Sequence, residues 1–138
     1  MRAYVDSSVA LRVMMRASDA LPQWNLIDRI ISSVLLRIEC ARTIERLRMV
    51  NKAAADRLLE YRVITAALTD KAELVAIDES ILELAEGEFS AALKSLDAIH
   101  LASAIWWRNR HHLDLAFATH DRTLARAARA AGFEVLGA

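Results

Sequence analysis

The chain has 138 residues, 55% of them hydrophobic, which is a common size for one domain and supplies enough apolar side chain for a continuous core. Its three Gly and one Pro are too few for the many tight turns of an all-β sandwich or barrel, so helices should dominate. The 18 basic and 18 acidic residues cancel, which excludes attraction of nucleic acid through overall charge and leaves only local contacts for RNA.

The cysteine count and the N-terminal sequence argue against a disulfide-bonded, secreted or membrane-spanning protein. Cys40 is the single cysteine, so an internal disulfide and a cysteine-rich zinc site are excluded. Asp6 interrupts the N-terminus before a signal-peptide apolar stretch can form, and no apolar run approaches the roughly 20 residues that span a bilayer. We therefore expect one soluble domain, residues 1–138, in a reducing cytoplasm and without a membrane partner.

The N-terminal part of the chain predicts two strands with a helix between them. Residues 2–5 are a short apolar strand candidate, followed at once by Asp6-Ser7-Ser8 and a helical pattern over 9–15. A loop with a short helical segment within 24–28 then leads to a second strand at 29–32. Asp6 is thus expected at a strand-to-helix junction.

Two consecutive helices are predicted next. Ser32 or Ser33 can cap the first, which runs to about Val50, and Asn51 is expected to cap the second, which ends near Leu68. The first helix carries an apolar stripe at positions i, i+4, i+8 and i+11. Its members are Leu36, Cys40, Ile44 and Leu47.

Strands and helices alternate through the rest of the chain. Residues 73–77 predict a strand, Asp78 caps a helix that ends near Gly87, and Ser95 is expected to cap a helix over 96–110. A strand at 113–119, a helix at 121–131 that Gly132 ends, and a last short strand at 133–136 follow.

This alternation predicts an α/β fold of three layers. Strands separated by helices are joined by right-handed crossovers, which gives a mainly parallel sheet with helices on both faces. In such sheets the ligand site lies beyond the carboxyl ends of the strands. Asp6 and Asp121 both follow predicted strands, so both are expected there.

Four acids are candidate metal ligands, although each has a structural alternative. Asp6 and Asp121 could act only as helix caps. Asp97 enters an apolar helix, and because Ser95 is available as the cap, a metal or an arginine is the expected partner. Glu39 lies at the border of the apolar stripe, where Arg42 could instead pair with it.

A cluster of these carboxylates has a defined chemistry. Four acids brought together repel one another and persist best with cations bound. Ligation by oxygen alone selects Mg²⁺ or Mn²⁺ over zinc. A metal-bound water could then hydrolyse a phosphodiester without a protein nucleophile.

Histidine and tryptophan offer weaker candidates. The four histidines lack metal-ligand spacing with cysteine, and His120, beside Asp121, is expected at the surface although it could donate to phosphate. The three tryptophans are expected in the core or in a dimer contact rather than in a base-stacking platform. They are Trp24, Trp106 and Trp107.

Four segments, taken in order, resemble the PIN-domain family and most closely its VapC-type toxins. They are Asp6-Ser-Ser-Val-Ala-Leu, Ser33-Val-Leu-Leu-Arg-Ile-Glu39, Leu96-Asp97-Ala-Ile-His-Leu-Ala102 and Ala118-Thr-His-Asp121-Arg-Thr-Leu. The third is the most specific, and the resemblance covers nearly the whole chain.

The resemblance implies a function and a set of site residues. Asp6, Glu39, Asp97 and Asp121 would bind Mg²⁺ or Mn²⁺ for RNA cleavage. Ser7 or Ser8 and Thr119 would add hydroxyl contacts to the metals or to phosphate. A homodimer is implied, as is a small VapB-type antitoxin whose C-terminal segment occupies the acidic site and often presents a basic residue there.

One departure and two alternatives remain. Some relatives carry a further acid just after the fourth one, whereas Arg122 and Thr123 follow Asp121 here, which leaves the number of metals open. A catalytically silent module could keep the acidic pocket only to receive a partner's basic tail. A receiver-like phosphoacceptor domain would need a lysine at a late strand end, and all three lysines lie elsewhere.

Overall fold

A computed structural model describes residues 1–138 and contains five strands and six α-helices. The strands are β1 (Arg2–Val5), β2 (Arg29–Ser33), β3 (Glu73–Val75), β4 (Ala116–Ala118) and β5 (Val135–Leu136). The helices are α1 (Ser7–Met14), α2 (Leu35–Met49), α3 (Ala55–Lys71), α4 (Glu79–Ala85), α5 (Ser95–His111) and α6 (Arg122–Ala130), with a 3-10 turn at Trp24–Leu26.

All five strands are parallel and lie in the order β3-β2-β1-β4-β5. The chain therefore steps outward from β1 to β3, then returns to the other side of β1 for β4 and β5. In sheets with such a reversal, ligands bind beyond the carboxyl ends of the strands at the point of reversal, which here is the ends of β1 and β4. The predicted α/β/α fold class is confirmed.

The two faces of the sheet carry separate apolar cores, because successive side chains of a strand point to opposite faces. On one face Tyr4, Ile31 and Phe117 pack with residues of α4, α5 and α6. On the other face Val5 and Ile30 pack with residues of α1 and α2. No helix of the chain is both long enough and apolar enough to cross a membrane.

Two predicted helix caps are wrong. Asn51 does not begin α3: it takes a left-handed conformation with φ 55°, and the Lys52 N–H donates to the Leu47 carbonyl oxygen, so this turn ends α2. Ser95 is itself the first residue of α5, whose N-cap position is Lys94 and has no side-chain cap. Asp97 consequently lies in the first turn of α5, where the helix dipole favours an acid.

Other predicted boundaries shift for reasons of pairing. β3 stops at Val75 rather than at residue 77 because its only partner, β2, ends opposite it at Ser33. β4 covers only the centre of the predicted 113–119 segment, opposite Ala3 to Val5 of β1. Asp78 and Gly132 do cap and end their helices as predicted.

Candidate functional site

Asp6 is a buried carboxylate at the junction of β1 and α1. The residue is 3% exposed, and its Oδ1 atom accepts a hydrogen bond from the Ser8 backbone N–H. Its Oδ2 atom accepts from the Thr119 hydroxyl at 2.6 Å. Burial of a charged group is costly unless donors compensate it, and here two donors do so.

Thr119 and Ser8 join the loop after β4 to the start of α1, which directly follows β1. The Thr119 hydroxyl donates to Asp6 and accepts from the Asp121 backbone N–H at 3.0 Å. The Ser8 hydroxyl accepts from the His120 backbone N–H at 2.9 Å. These bonds hold the two strand ends, and the acids that follow them, in one place.

Asp121 is exposed and caps α6, with its Oδ1 atom accepting from the Leu124 N–H at 2.7 Å. Asp6 likewise caps α1. Both acids thus perform the structural role that the sequence allowed them. Since a carboxylate can accept several hydrogen bonds, capping leaves part of each group available to another ligand.

Glu39 extends from α2 toward the same strand ends and is 18% exposed. Its Oε2 atom accepts from the Ser7 hydroxyl at 2.8 Å, and its Oε1 atom lies 2.6 Å from His100 Nε2. No ion pair joins it to Arg42, the alternative partner. Both carboxylate oxygens of Glu39 are therefore held by residues from other elements.

His100 is a site residue that sequence reasoning missed. It is 1% exposed, and its Nδ1 atom lies 2.7 Å from the hydroxyl of Tyr4, which is also fully buried. Its position three residues after Asp97, on the same side of a helix, was the available signal. The three side chains form a continuous chain from Tyr4 through His100 to Glu39.

Asp97 is half-buried and has no hydrogen-bond or ion-pair partner in the chain, so the arginine partner considered from sequence is absent. Burial raises the pKa of Asp97 above its ordinary value. The negative charges of Asp121 and Asp6, and then of Glu39, raise this pKa further, while His100 opposes the shift. Asp97 thus lies in the repulsive field of the other three acids.

The donor chemistry of this site fits Mg²⁺ or Mn²⁺, because it offers carboxylate and hydroxyl oxygen and no sulfur. A cation among these acids would relieve the repulsion that raises the pKa of the unpaired Asp97. No three Asp, Glu, His or Cys side chains are arranged to hold one ion together. Mg²⁺ commonly uses one or two carboxylates and keeps several waters, so its binding does not require three preassembled ligands.

The structure shows how far two of the weaker candidates, Trp107 and His120, are buried. Trp107 is fully buried in the core, as predicted. The prediction of a surface position for His120 is wrong in part: the ring is half-buried and its Nε2 atom has no hydrogen-bond partner. A β-carbon at position 137, where Gly137 has φ 96°, would contact the His120 ring and the Thr119 carbonyl oxygen, so the chain can pass this close to the ring only with glycine there.

A separate groove of about 680 Å³ lies between α2 and α3 and contains none of the four acids. Five of its nine lining residues are hydrophobic, and the other four are two arginines and two threonines. The residues are Val34, Arg37, Ile38, Ala41, Ile44, Arg62, Thr65, Ala66 and Thr69. It is a different surface from the carboxyl ends of β1 and β4, where Asp6 and Asp121 lie.

Comparisons with known proteins give a consistent result. The family model described as PIN domain matches residues 3–130. Ribonuclease VapC46 of Mycobacterium tuberculosis (strain ATCC 25618 / H37Rv) is 31% identical over 137 residues, which cover 96% of this chain and 95% of that protein. A crystal structure of VapBC-5, a member of the VapBC family of toxin–antitoxin systems from Mycobacterium tuberculosis, matches with a TM-score of 0.64 and 17% identity over 97% of this chain and 96% of that one.

Replacing Thr119 with Val should lower the free energy of unfolding by about 1–3 kcal/mol, because the isosteric change removes a donor from the buried Asp6 carboxylate and an acceptor from the Asp121 N–H. Urea unfolding monitored by circular dichroism measures the change. Thr69→Val is the matched control, since its hydroxyl bonds only to carbonyls of its own helix. Equal stability of the two variants would show that the Thr119 bridge contributes nothing specific.

Proposed function

This chain belongs to the PIN-domain family, and we propose that it is a divalent-metal-dependent endoribonuclease, the toxin of a type II toxin–antitoxin pair. The observation that carries the proposal is the unpaired Asp97 carboxylate in the field of three other acids at the strand ends. Such a cluster is costly for a protein to keep unless it binds cations. A relative named as a ribonuclease supports the reaction class.

We assign Asp6, Glu39, Asp97 and Asp121 to direct or water-mediated binding of Mg²⁺ or Mn²⁺. When bound, such an ion supplies a water of lowered pKa and stabilises charge on the leaving oxygen of a phosphodiester. Glu39 and Asp6 are oriented by their hydrogen bonds before any ligand arrives, and Asp97 contributes an unpaired carboxylate. The substrate's phosphate oxygens would complete the coordination.

The hydroxyl residues have a supporting role in this proposal. Thr119 and Ser7 donate to Asp6 and Glu39, so they fix carboxylate orientation. The Ser8 backbone N–H positions Asp6, and the Ser8 hydroxyl positions the loop after β4 by accepting from the His120 N–H. We place all three beside the metal and the phosphate rather than among the direct ligands.

Contacts to RNA have to be local because the net charge is zero. Arg12 in the last turn of α1 pairs with Asp19, whereas Arg122 and Arg126 on α6 are exposed and have no ion-pair partner. Arg122 directly follows Asp121. We therefore propose that Arg122 and Arg126 contact the RNA backbone.

The proposed partners are a second copy of this chain and a VapB-type antitoxin. The structural neighbour is described as part of a toxin–antitoxin system, and the family resemblance implies a homodimer. A basic residue from an antitoxin tail would neutralise the repulsion around Asp97, as a cation does. Light scattering on the purified chain, alone and with its antitoxin, measures both assemblies.

Asp97→Asn should abolish metal-dependent RNA cleavage without lowering the melting temperature, because it removes a ligand charge that the folded state repels. The assay is cleavage of total cellular RNA by the antitoxin-free protein with Mg²⁺, with Mn²⁺ and with EDTA. The wild-type protein should cleave only with metal. If the folded wild-type protein cleaves under neither metal, the catalytic proposal is wrong and the chain is a binding module.

Arg122→Ala should weaken RNA binding by roughly tenfold and reduce the slope of log K against log salt by about 1, because one phosphate contact is lost. Fluorescence anisotropy with a labelled single-stranded RNA and an Asp97→Asn background, which prevents cleavage, measures both values. Arg57→Ala on α3, also exposed and without an ion-pair partner, is the control and should change neither. An unchanged salt slope for Arg122→Ala would remove this residue from the RNA surface.

A further inference from the structure

Glu39 is held at both carboxylate oxygens. Fixing a long, flexible side chain in this way costs conformational entropy. Ser7 donates to one oxygen, and His100 Nε2 lies 2.6 Å from the other, a distance typical of hydrogen bonds to charged acceptors. Each oxygen of a carboxylate has about two acceptor positions, so one position on each remains for a cation or its water. The two bonds thus restrict orientation without occupying the group.

The direction of the hydrogen bonds follows from the chemistry of their ends. An ionised Glu39 can only accept, so His100 Nε2 carries the hydrogen and donates. In the neutral imidazole, His100 Nδ1 is then the acceptor of the Tyr4 hydroxyl hydrogen. The Tyr4 hydroxyl is both a donor and an acceptor, so it can supply that hydrogen.

We propose that His100 is a positioning residue: its Nε2–H, fixed by the Tyr4 hydroxyl at Nδ1, orients the Glu39 carboxylate for binding of a divalent cation. The inference rests on the proposed function, since Glu39 matters here as a cation-binding group. Groups that hydrogen-bond to metal-binding side chains set their orientation, and their loss commonly weakens metal binding by roughly 10- to 100-fold.

Burial and position separate this role from simple core packing. His100 is 1% exposed and lies on α5, while Glu39 lies on α2, on the opposite face of the sheet. The contact therefore crosses from one helix layer to the other at the edge where the acids gather. A histidine needed only to fill space would be replaced at lower cost by an apolar side chain.

Two substitutions of His100 distinguish the roles of its two nitrogens. His100→Gln places an amide N–H near the former Nε2 position, so it keeps the donor to Glu39. His100→Asn is too short for that contact and retains only the side near Tyr4. His111→Gln is the matched control, because it changes the same residue type on the same helix, where His111 bonds to the Trp107 carbonyl oxygen.

The measurement is Mn²⁺ binding to the antitoxin-free protein, from the electron paramagnetic resonance signal of free Mn²⁺, with melting temperatures recorded for each variant. His100→Asn should weaken Mn²⁺ binding by roughly 10- to 100-fold, His100→Gln should restore it to within about threefold of wild type, and His111→Gln should match wild type. The loss of RNA cleavage in His100→Asn, relative to wild type, should be smaller at saturating Mn²⁺ than at low Mn²⁺.

The contrary outcomes separate this inference from the function on which it rests. Wild-type Mn²⁺ affinity in His100→Asn, or equal weakening in both His100 variants with equal loss of melting temperature, would overturn the positioning role alone. Absence of Mn²⁺ binding by the wild-type protein would overturn the proposed function and this inference together. A nitrogen-15 NMR spectrum of His100 that shows the hydrogen on Nδ1 would also overturn it.

Discussion

The buried carboxylate of Asp6 is the constraint on which the carboxyl end of this sheet depends. A charged group that is 3% exposed must find donors, and it finds them in the Ser8 backbone and the Thr119 hydroxyl. Because Thr119 follows β4 while Asp6 follows β1, satisfying one carboxylate also fixes the distance between two strand ends. The Asp121 N–H, bonded to the same hydroxyl, is positioned by the same requirement.

A second chain of contacts joins the helix layers around that point. Tyr4, in β1, reaches His100 on α5, which reaches Glu39 on α2. The sheet itself keeps α2 and α5 apart over most of their length, so their polar contact is confined to the edge where the strands end. Asp97 lies one helical turn before His100 and is left without a partner. Folding thus concentrates negative charge at one place and supplies the donors that orient it.

Much of the fold could be predicted from the sequence because its signals are local. The strand at residues 2–5 and the caps at Asp78 and Gly132 follow from hydrophobic pattern and from residue preference alone. The predicted N-caps at Asn51 and Ser95 were wrong. Polar residues that favour an N-cap also occur in the left-handed turn that ends a helix, as at Asn51, or inside the first turn, as at Ser95. The length of β3 depended on its neighbour, which no local pattern contains.

The hydrogen bonds of the candidate site could not be predicted from the sequence. The motifs made the four acids candidates, and their role stays a prediction, but the partners of Glu39 could not be foreseen because Ser7 and His100 are 32 and 61 residues away in the chain. The burial of the His120 Nε2 atom could not be predicted for the same reason. Long-range contacts at strand ends depend on which strands are neighbours. The sequence pattern does not contain the strand order, which only the structure gives.

The most direct test of this account is an anomalous difference map from crystals of the antitoxin-free protein soaked in MnCl₂. The account predicts a manganese peak beyond the ends of β1 and β4, bounded by Asp6, Glu39, Asp97 and Asp121, with direct or water-mediated contacts to these carboxylates. A map at saturating Mn²⁺ with no peak there, or with peaks only at other surfaces, would contradict the claim that these four acids form a metal site.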